Sequence, residues 1–411
     1  MSSQPKPHIA RRRVFYIPGY DPIHPRRYRE LYRKEGAEQA QISGYTLDLK
    51  GRQGTGRYGW HVNAKIDGCE TQTDFDVLVW SDIVRESMER GIVGTYIQLV
   101  RTAWTYIASG ALFRLMRLRK GPVIAALYPV VFLLVQLLIS FVAGAFVLWA
   151  GKVLLSPVLG LFGEVIAAVV GIGLFMGLLR WFKQKDGKFF AYYLMHDYAH
   201  SAQSNGANPP QLEARMAEFT AEIAAALSDD VDEVLVVGHS SGAHLGVSIL
   251  SDLIRTGKAP AGGPTLSFLS LGQVVPMVSF LRDADRLRAD LHYLSTRDEL
   301  TWIDVTAPGD GCAFALCDPV AVSGVAPKGQ RWPLILSAAF TKTLSPERWK
   351  ALRWRFFRLH FQYLCAFDRP GDYDYFQITA GPMTLAERYE GRQPSPSRIT
   401  RAASRFTSMA A

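Results

Sequence analysis

A long apolar block near the middle of the chain constrains its fold more than any other feature. No residue from Pro122 to Trp149 is charged, and Glu164 is the only charged residue from Val153 to Leu179. Each run exceeds the roughly 20 apolar residues with which a helix crosses a bilayer, whereas long helices in soluble cores usually keep a polar face. We therefore predict two transmembrane helices, over roughly 123–149 and 156–179, that form a hairpin.

Basic residues on both sides of this hairpin predict its orientation. They are Arg114, Arg117, Arg119 and Lys120 before it and Arg180, Lys183, Lys185 and Lys188 after it. The connecting turn offers only Lys152, so the positive-inside rule places both soluble segments in the cytoplasm. Cysteines without a CxxC pair and an N-terminus without an apolar signal region agree with this location. Glu164 has two interpretations, a functional group within the membrane or a residue near its far surface.

The net charge of +9 suits either nucleic acid or an anionic membrane surface. Much of the basic excess flanks the apolar block or lies in the polar C-terminal segment, and no zinc-finger or RNA-binding signature is visible. We therefore predict membrane lipids as partners and no nucleic acid.

Short apolar runs alternate with helical patterns along the rest of the chain. The predicted strands are Val14–Ile17, Tyr45–Lys50, His61–Ile66, Phe75–Trp80, Val234–Val237, Thr265–Leu271 and Leu300–Val305. Helical patterns cover 26–40, 211–227 and about 279–290. This alternation predicts an α/β fold, in which helices cover both faces of a mostly parallel sheet.

The membrane hairpin interrupts this α/β domain instead of preceding it. The first part of the domain is predicted over 1–121, the hairpin over 122–180 and the second part over 181–390. Residues 92–119 form either an interfacial helix or a helix packed on the soluble domain. Residues 391–411, rich in Ser, Arg and Pro, are predicted to be a disordered basic tail.

Residues 238–242 read Gly-His-Ser-Ser-Gly and match the pattern G-x-S-x-G. A strand-like run precedes them and a helix-like run, 243–255, follows them, which is the order of a nucleophile elbow. Its tight turn lifts the serine hydroxyl off the sheet, and the flanking glycines avoid collisions with neighbouring backbone. In these residues the chain resembles the α/β-hydrolase family, with Ser240 at the position of the nucleophile.

The resemblance implies a catalytic acid and histidine, in the chain order Ser, acid, His. His360 is the only histidine after the strand at 300–305, which makes it the implied base, although its surroundings read as helix and not as loop. Asp310, between two glycines in the loop after that strand, is the implied acid. Asp304 and Asp318 remain alternatives, because spacing alone cannot place a carboxylate beside an imidazole.

The resemblance also implies an oxyanion hole made of two backbone amides. One belongs to Ser241, the residue after the nucleophile. The other belongs to Gly19 or Tyr20, in the loop that follows the first strand. The HGGG motif of some family members is absent from this loop.

The function implied is a membrane-anchored serine hydrolase that cleaves a carboxylic ester through an acyl-enzyme on Ser240. The anchor favours a lipid or another ester that partitions into membranes, and the chemistry requires neither a metal nor an organic cofactor. Two alternatives stay open. One is an inactive hydrolase-like membrane scaffold, and the other is acyl transfer by the same residues to an acceptor other than water.

Overall fold

A computed structural model describes residues 8–52, 57–259 and 261–410. The chain forms two compact units. The sheet unit comprises residues 1–85, 109–122 and 204–411, and the helical unit comprises 86–108 and 123–203. The helical unit is therefore larger than the hairpin predicted over 122–180, because segments on both sides of the apolar block join it.

Eight strands form one sheet in the order β2-β3-β4-β1-β5-β6-β7-β8. Their bounds are β1 Arg11–Ile17, β2 Thr46–Gly51, β3 Gly59–Ile66, β4 Cys69–Val77, β5 Glu233–His239, β6 Thr265–Leu271, β7 Leu300–Thr306 and β8 Leu334–Ser337. β3 is antiparallel to β2 and β4, and all other neighbours are parallel. The α/β class and the mostly parallel sheet are thus confirmed, while the four-residue strand β8 was missed.

The described α-helices, in chain order, are α1 Arg26–Ser43, α2 Ser81–Met88, α3 Ile92–Ala108, α4 Ala111–Leu118, α5 Lys120–Leu159, α6 Leu161–Gln184, α7 Asp186–Phe189, α8 Ala191–Ala202, α9 Pro210–Ala226, α10 Ser241–Arg255, α11 Val275–Ser279, α12 Asp285–Leu294, α13 Pro319–Val322, α14 Phe340–Thr343, α15 Pro346–Leu352, α16 Phe356–His360, α17 Tyr375–Ala380 and α18 Leu385–Arg388. The structure divides the helix predicted over 279–290 into α11 and α12. It also divides 92–119 into α3 of the helical unit and α4 of the sheet unit.

Successive side chains along each strand point to opposite faces of the sheet, and apolar side chains cover both faces. On one face, Val237 of β5 belongs to the core cluster that includes Tyr32 of α1 and Phe376 of α17. On the other face, Phe268 of β6 lies so close to Gly246 of α10 that a Cβ at this glycine would be 2.7 Å from the ring. Helices therefore pack on both faces, as expected for parallel strands that are buried on both sides.

In the helical unit, α5 and α6 are each long and apolar enough to cross a membrane, by length and composition. They pack closely through small residues, because a Cβ at Gly144 would lie 2.8 Å from the Gly171 carbonyl oxygen. The prediction of a turn at about 150–155 was wrong, because α5 continues through Pro157. The chain turns instead at Gly160, whose φ of 57° and ψ of −132° suit glycine best.

Glu164 lies in the first turn of α6, close to this connection. Its carboxylate forms an ion pair with Lys152 of α5, with 3.4 Å between Nζ and Oε2. The structure therefore places the two charged residues of the apolar block together, near the turn of the hairpin.

The structure differs from the prediction of a disordered C-terminal tail. Over the described residues 391–410, the backbone amide of Ile399 donates to Leu316 O at 2.7 Å, and the amide of Ala403 donates to Val322 O at 2.9 Å. Arg288 Nε also donates to Ser408 O at 2.7 Å. Hydrogen bonds to distant loops hold this segment on the sheet unit. The amino-acid composition of the segment, from which disorder was predicted, does not reveal these partners.

Candidate active site

Ser240 occupies a sharp turn between the end of β5 and the first turn of α10. Its φ of 56° and ψ of −120° are strained for a residue with a side chain. The turn depends on its glycines, because a Cβ at Gly238 would lie 2.6 Å from Gly242 O, and a Cβ at Gly242 would collide with the carbonyl oxygen of Ile17. The predicted order of strand, turn and helix is present, with a half-buried serine at its apex.

His360 and Asp310 form a buried hydrogen-bonded pair, with 2.7 Å between Nδ1 and Oδ2. A carboxylate only accepts hydrogen bonds, so Nδ1 donates and Nε2 of the neutral ring is left as an acceptor. Oδ2 also accepts from the Tyr363 hydroxyl at 3.0 Å, and Oδ1 accepts from the Cys312 amide at 2.8 Å. The pairing therefore fixes the ring in the tautomer whose Nε2 can take a proton.

The surroundings of Asp310 favour its ionised form. Burial raises the pKa of this carboxyl, but the positive charge that His360 carries when protonated and the hydrogen bonds to the carboxylate outweigh burial and leave the pKa below its usual value. Asp310 is therefore a buried negative charge at neutral pH. Such a charge stabilises the imidazolium that forms when a histidine accepts a proton.

The two alternative acids lie in other surroundings. Asp304 Oδ1 accepts from the Ser270 hydroxyl at 2.6 Å, and burial raises the pKa of Asp304 to about 8. Asp318 caps helix α13, and its Oδ1 accepts from two backbone amides at 3.0 Å each. Among the three candidates, within the described residues, only Asp310 is hydrogen-bonded to His360.

Ser240 and His360 lie at the same end of the sheet. The Ser240 amide donates to Leu271 O, the last residue of β6, at 2.9 Å. A Cβ on the next residue, Gly272, would lie 3.1 Å from His360 Cε1. Over the part of the chain that the structure describes, no hydrogen bond joins the Ser240 hydroxyl to this ring. Such bonds are often long before a substrate binds.

The loop after β1 brings Gly19 directly against Ser240. A Cβ on Gly19 would lie 3.0 Å from Ser240 Cβ and 3.4 Å from Ser240 Oγ, so only glycine leaves this space open. Trp80 Nε1 donates to Pro18 O at 2.9 Å and fixes the loop, and the buried Tyr20 packs against the Trp80 ring. The structure therefore brings the loop predicted to supply an oxyanion amide to the serine, beside Ser241 in the first turn of α10.

His239 is a site residue for which the sequence analysis found no role. Its buried ring lies beside that of His360, with centroids 4.9 Å apart. Burial, and then the charge of His360, lower the pKa of His239 to about 3, so the ring is neutral at ordinary pH. The G-x-S-x-G pattern allows any residue at the position of His239, and no sequence signal indicates that its ring contacts His360.

Comparison of the chain with protein-family models, with curated proteins and with solved structures gives no match.

A divalent metal ion has one set of potential ligands in this site. Ligand atoms of Asp310, Cys312 and His360 lie within 4.8 Å of one another, the single such group among the described residues. The set combines O, S and N donors, which Zn²⁺ accepts. A metal bound there would compete with the hydrogen bond between Asp310 and His360, so binding of the metal and use of His360 as a base exclude each other.

Proposed function

We propose that this protein is a membrane-anchored serine hydrolase of the α/β-hydrolase type that cleaves a carboxylic ester. One observation carries the proposal: a buried Asp310–His360 pair lies at the same sheet end as a serine in a strained strand–helix turn. Nucleophile, orienting acid and base then follow one another in the chain in the order typical of that family. Strain of this kind is concentrated at functional sites.

The proposed reaction begins when Ser240 Oγ attacks the acyl carbon of the ester and His360 Nε2 takes the hydroxyl proton. Asp310 stabilises the imidazolium, and the amides of Ser241 and of Gly19 or Tyr20 donate to the oxyanion. His360 then gives the proton to the departing alcohol, which leaves an acyl-enzyme. Water, deprotonated by His360, attacks this ester, releases the acid and restores the free serine.

The substrate class follows from the apolar helices. Two segments long and apolar enough to span a bilayer would keep the enzyme where lipid esters are concentrated. Clusters of Lys and Arg on both sides of these segments favour a cytoplasmic location for the sheet unit. We therefore propose a lipid or another membrane-partitioned ester as substrate.

A fluorophosphonate probe, which forms a covalent bond with activated serines, tests the proposal. The full-length protein should be labelled, and Ser240→Ala should abolish labelling and lower ester hydrolysis by at least about a thousandfold. Ser228→Ala, at an exposed serine in the loop before β5, is the matched control and should retain both. Full hydrolysis of short acyl esters by Ser240→Ala would rule out the proposed chemistry.

The same experiment separates the alternatives. A scaffold without chemistry would give neither labelling nor hydrolysis, whereas an acyltransferase would be labelled and would yield a new ester or amide once an acceptor alcohol or amine is supplied. A metal-dependent enzyme using Asp310, Cys312 and His360 would lose activity with EDTA. The serine mechanism predicts unchanged activity with EDTA and in Cys312→Ser.

A further inference from the structure

A surface on the sheet unit combines exposed aromatic rings with basic side chains. We call it the cationic–aromatic surface, and it consists of Lys350, Arg353, Trp354, Arg355, Phe356 and Arg358. Trp354 is 72% exposed and Phe356 is 47% exposed, although such rings are normally buried. Exposed rings grouped in one short segment usually mark an interaction site.

The surface carries four basic side chains at close spacing. None of its four basic residues forms an ion pair with any described residue, and residues 350–361 contain no Asp or Glu. Arg353 instead lies over the Trp354 ring, 5.5 Å from its centroid. Arg348, which precedes the surface in the chain, is different because it forms an ion pair with Glu38, with 2.6 Å between Nη1 and Oε1. The surface therefore presents four basic groups that form no ion pair within the part of the chain that the structure describes.

A cleft beside the surface has the size and charge to take a phosphate group. Its volume is about 260 Å³, and its charged lining consists of four basic and two acidic side chains, those of Lys34, Arg348, Arg355, Arg358, Glu35 and Glu38. Glu35 pairs with Lys34 at 3.6 Å, and Glu38 pairs with Arg348 at 2.6 Å. Within the described residues, Arg355 and Arg358 are therefore the basic groups of the lining that form no ion pair. Arginine suits phosphate because its planar fork donates two parallel hydrogen bonds.

The surface adjoins the candidate active site. The Phe356 ring lies against Gly311, next to Asp310, since a Cβ on that glycine would be 3.2 Å from Phe356 Cδ1. Phe356 is also the first residue of α16, and His360 is the last. One short helix therefore joins the exposed ring to the proposed base.

We propose that the cationic–aromatic surface docks onto an anionic phospholipid bilayer. Its tryptophan and phenylalanine rings enter the interfacial region, and Arg355 and Arg358 bind lipid phosphates. Aromatic rings beside basic groups favour the boundary between lipid headgroups and acyl chains, and the negative surface potential attracts unpaired cations. The inference rests on the proposed function only in that docking would deliver lipid esters to Ser240. The contact itself can be measured without catalysis.

The test uses the full-length protein in lipid nanodiscs that contain brominated lipids, which quench nearby tryptophans. Because the chain has nine tryptophans, the Trp354 signal is obtained as the difference between the wild type and Trp354→Phe. We expect this signal to be quenched in nanodiscs containing phosphatidylglycerol, and several-fold less in pure phosphatidylcholine. The double variant Arg355→Gln/Arg358→Gln, with its own Trp354→Phe counterpart, should reduce quenching at least threefold. The control Lys258→Gln/Lys328→Gln removes the same charge from exposed sites elsewhere and should not reduce it.

Two results would overturn the inference. The first is no Trp354 quenching in anionic nanodiscs, or equal quenching in both lipids that the double variant does not change. In the second, inorganic phosphate binds to the detergent-solubilised protein, this binding requires Arg355 and Arg358, and lipid does not quench Trp354. That combination would assign the cleft to a soluble anion. Fluorophosphonate labelling of the same samples reports on Ser240 independently. Failure of docking and failure of the proposed chemistry are therefore distinguishable.

Discussion

His239 Nε2 donates a hydrogen bond to the backbone carbonyl of His360 at 3.0 Å and joins residues 121 positions apart. His239 directly precedes the proposed nucleophile, and His360 is the proposed base. The bond therefore ties the carbonyl of the proposed base to the strand that carries the serine, and we predict that His239 positions His360.

Replacement of His239 tests this positioning role. His239→Ala should lower kcat by about tenfold, which corresponds to the loss of one buried hydrogen bond of about 1.4 kcal/mol. His239→Gln keeps a donor and should recover most of the rate. Since the pKa of His239 is about 3, the pH dependence of kcat/KM between about pH 5 and pH 9 should keep its shape in both variants. A changed profile would show that His239 itself titrates during catalysis.

The choice of the catalytic acid gives a second prediction. Asp310→Asn should lower kcat by about a thousandfold or more, because an amide at this position no longer stabilises the imidazolium or fixes its tautomer. Asp318→Asn should keep activity within about tenfold, since this residue caps a helix and does not contact His360. Steady-state ester hydrolysis measures both. A larger loss in Asp318→Asn, with the fold intact by circular dichroism, would transfer the role to Asp318.

Crowding of the proposed nucleophile gives a third prediction. In Gly19→Ala, the new methyl group would lie 3.0 Å from Ser240 Cβ and would occupy space beside the hydroxyl. We expect kcat/KM to fall about a hundredfold, which is comparable to the loss of one oxyanion donor, while the melting temperature changes little. Gly329→Ala is the control, since nothing lies within 4 Å of a Cβ at that position. Equal activity of the two variants would place the substrate away from the loop after β1.

Asp304 gives a prediction about stability and pH. Burial raises the pKa of this carboxyl to about 8 in the folded chain, against an ordinary value of 3.8. Between these pH values the folded chain binds a proton that the unfolded chain releases, so this group makes stability fall as pH rises, by up to about 1.4 kcal/mol per pH unit. Asp304→Asn should remove that slope and should be more stable than the wild type near about pH 8. Denaturant unfolding from about pH 5 to pH 9 measures the effect, and equal slopes for both proteins would contradict it.

Local sequence patterns were sufficient for most of the sheet and for the turn at Ser240. Every residue of the run Val234–Val237 is apolar, so both faces of this strand are apolar. This pattern is typical of a strand that is buried on both sides. Gly238 and Gly242 were predictable because the close approach of backbone at that turn excludes any side chain. The apolar helices were equally visible, but their turn at Gly160 was not. A proline three residues earlier was a misleading signal, since α5 continues through it.

Pairings between distant segments could not be read from the sequence. It left three carboxylates as candidate acids, and the fold decides which of them meets His360, because the loop carrying Asp310 and the helix α16 converge from 50 residues apart. The sequence likewise did not predict the contact of His239 with His360 or the hydrogen bonds that hold the C-terminal segment. Nor did it predict that the arginines near Trp354 form no ion pair within the described residues. A local pattern fixes which strand or turn forms and which face is buried. Which polar groups find partners depends on loops whose paths the tertiary structure alone sets.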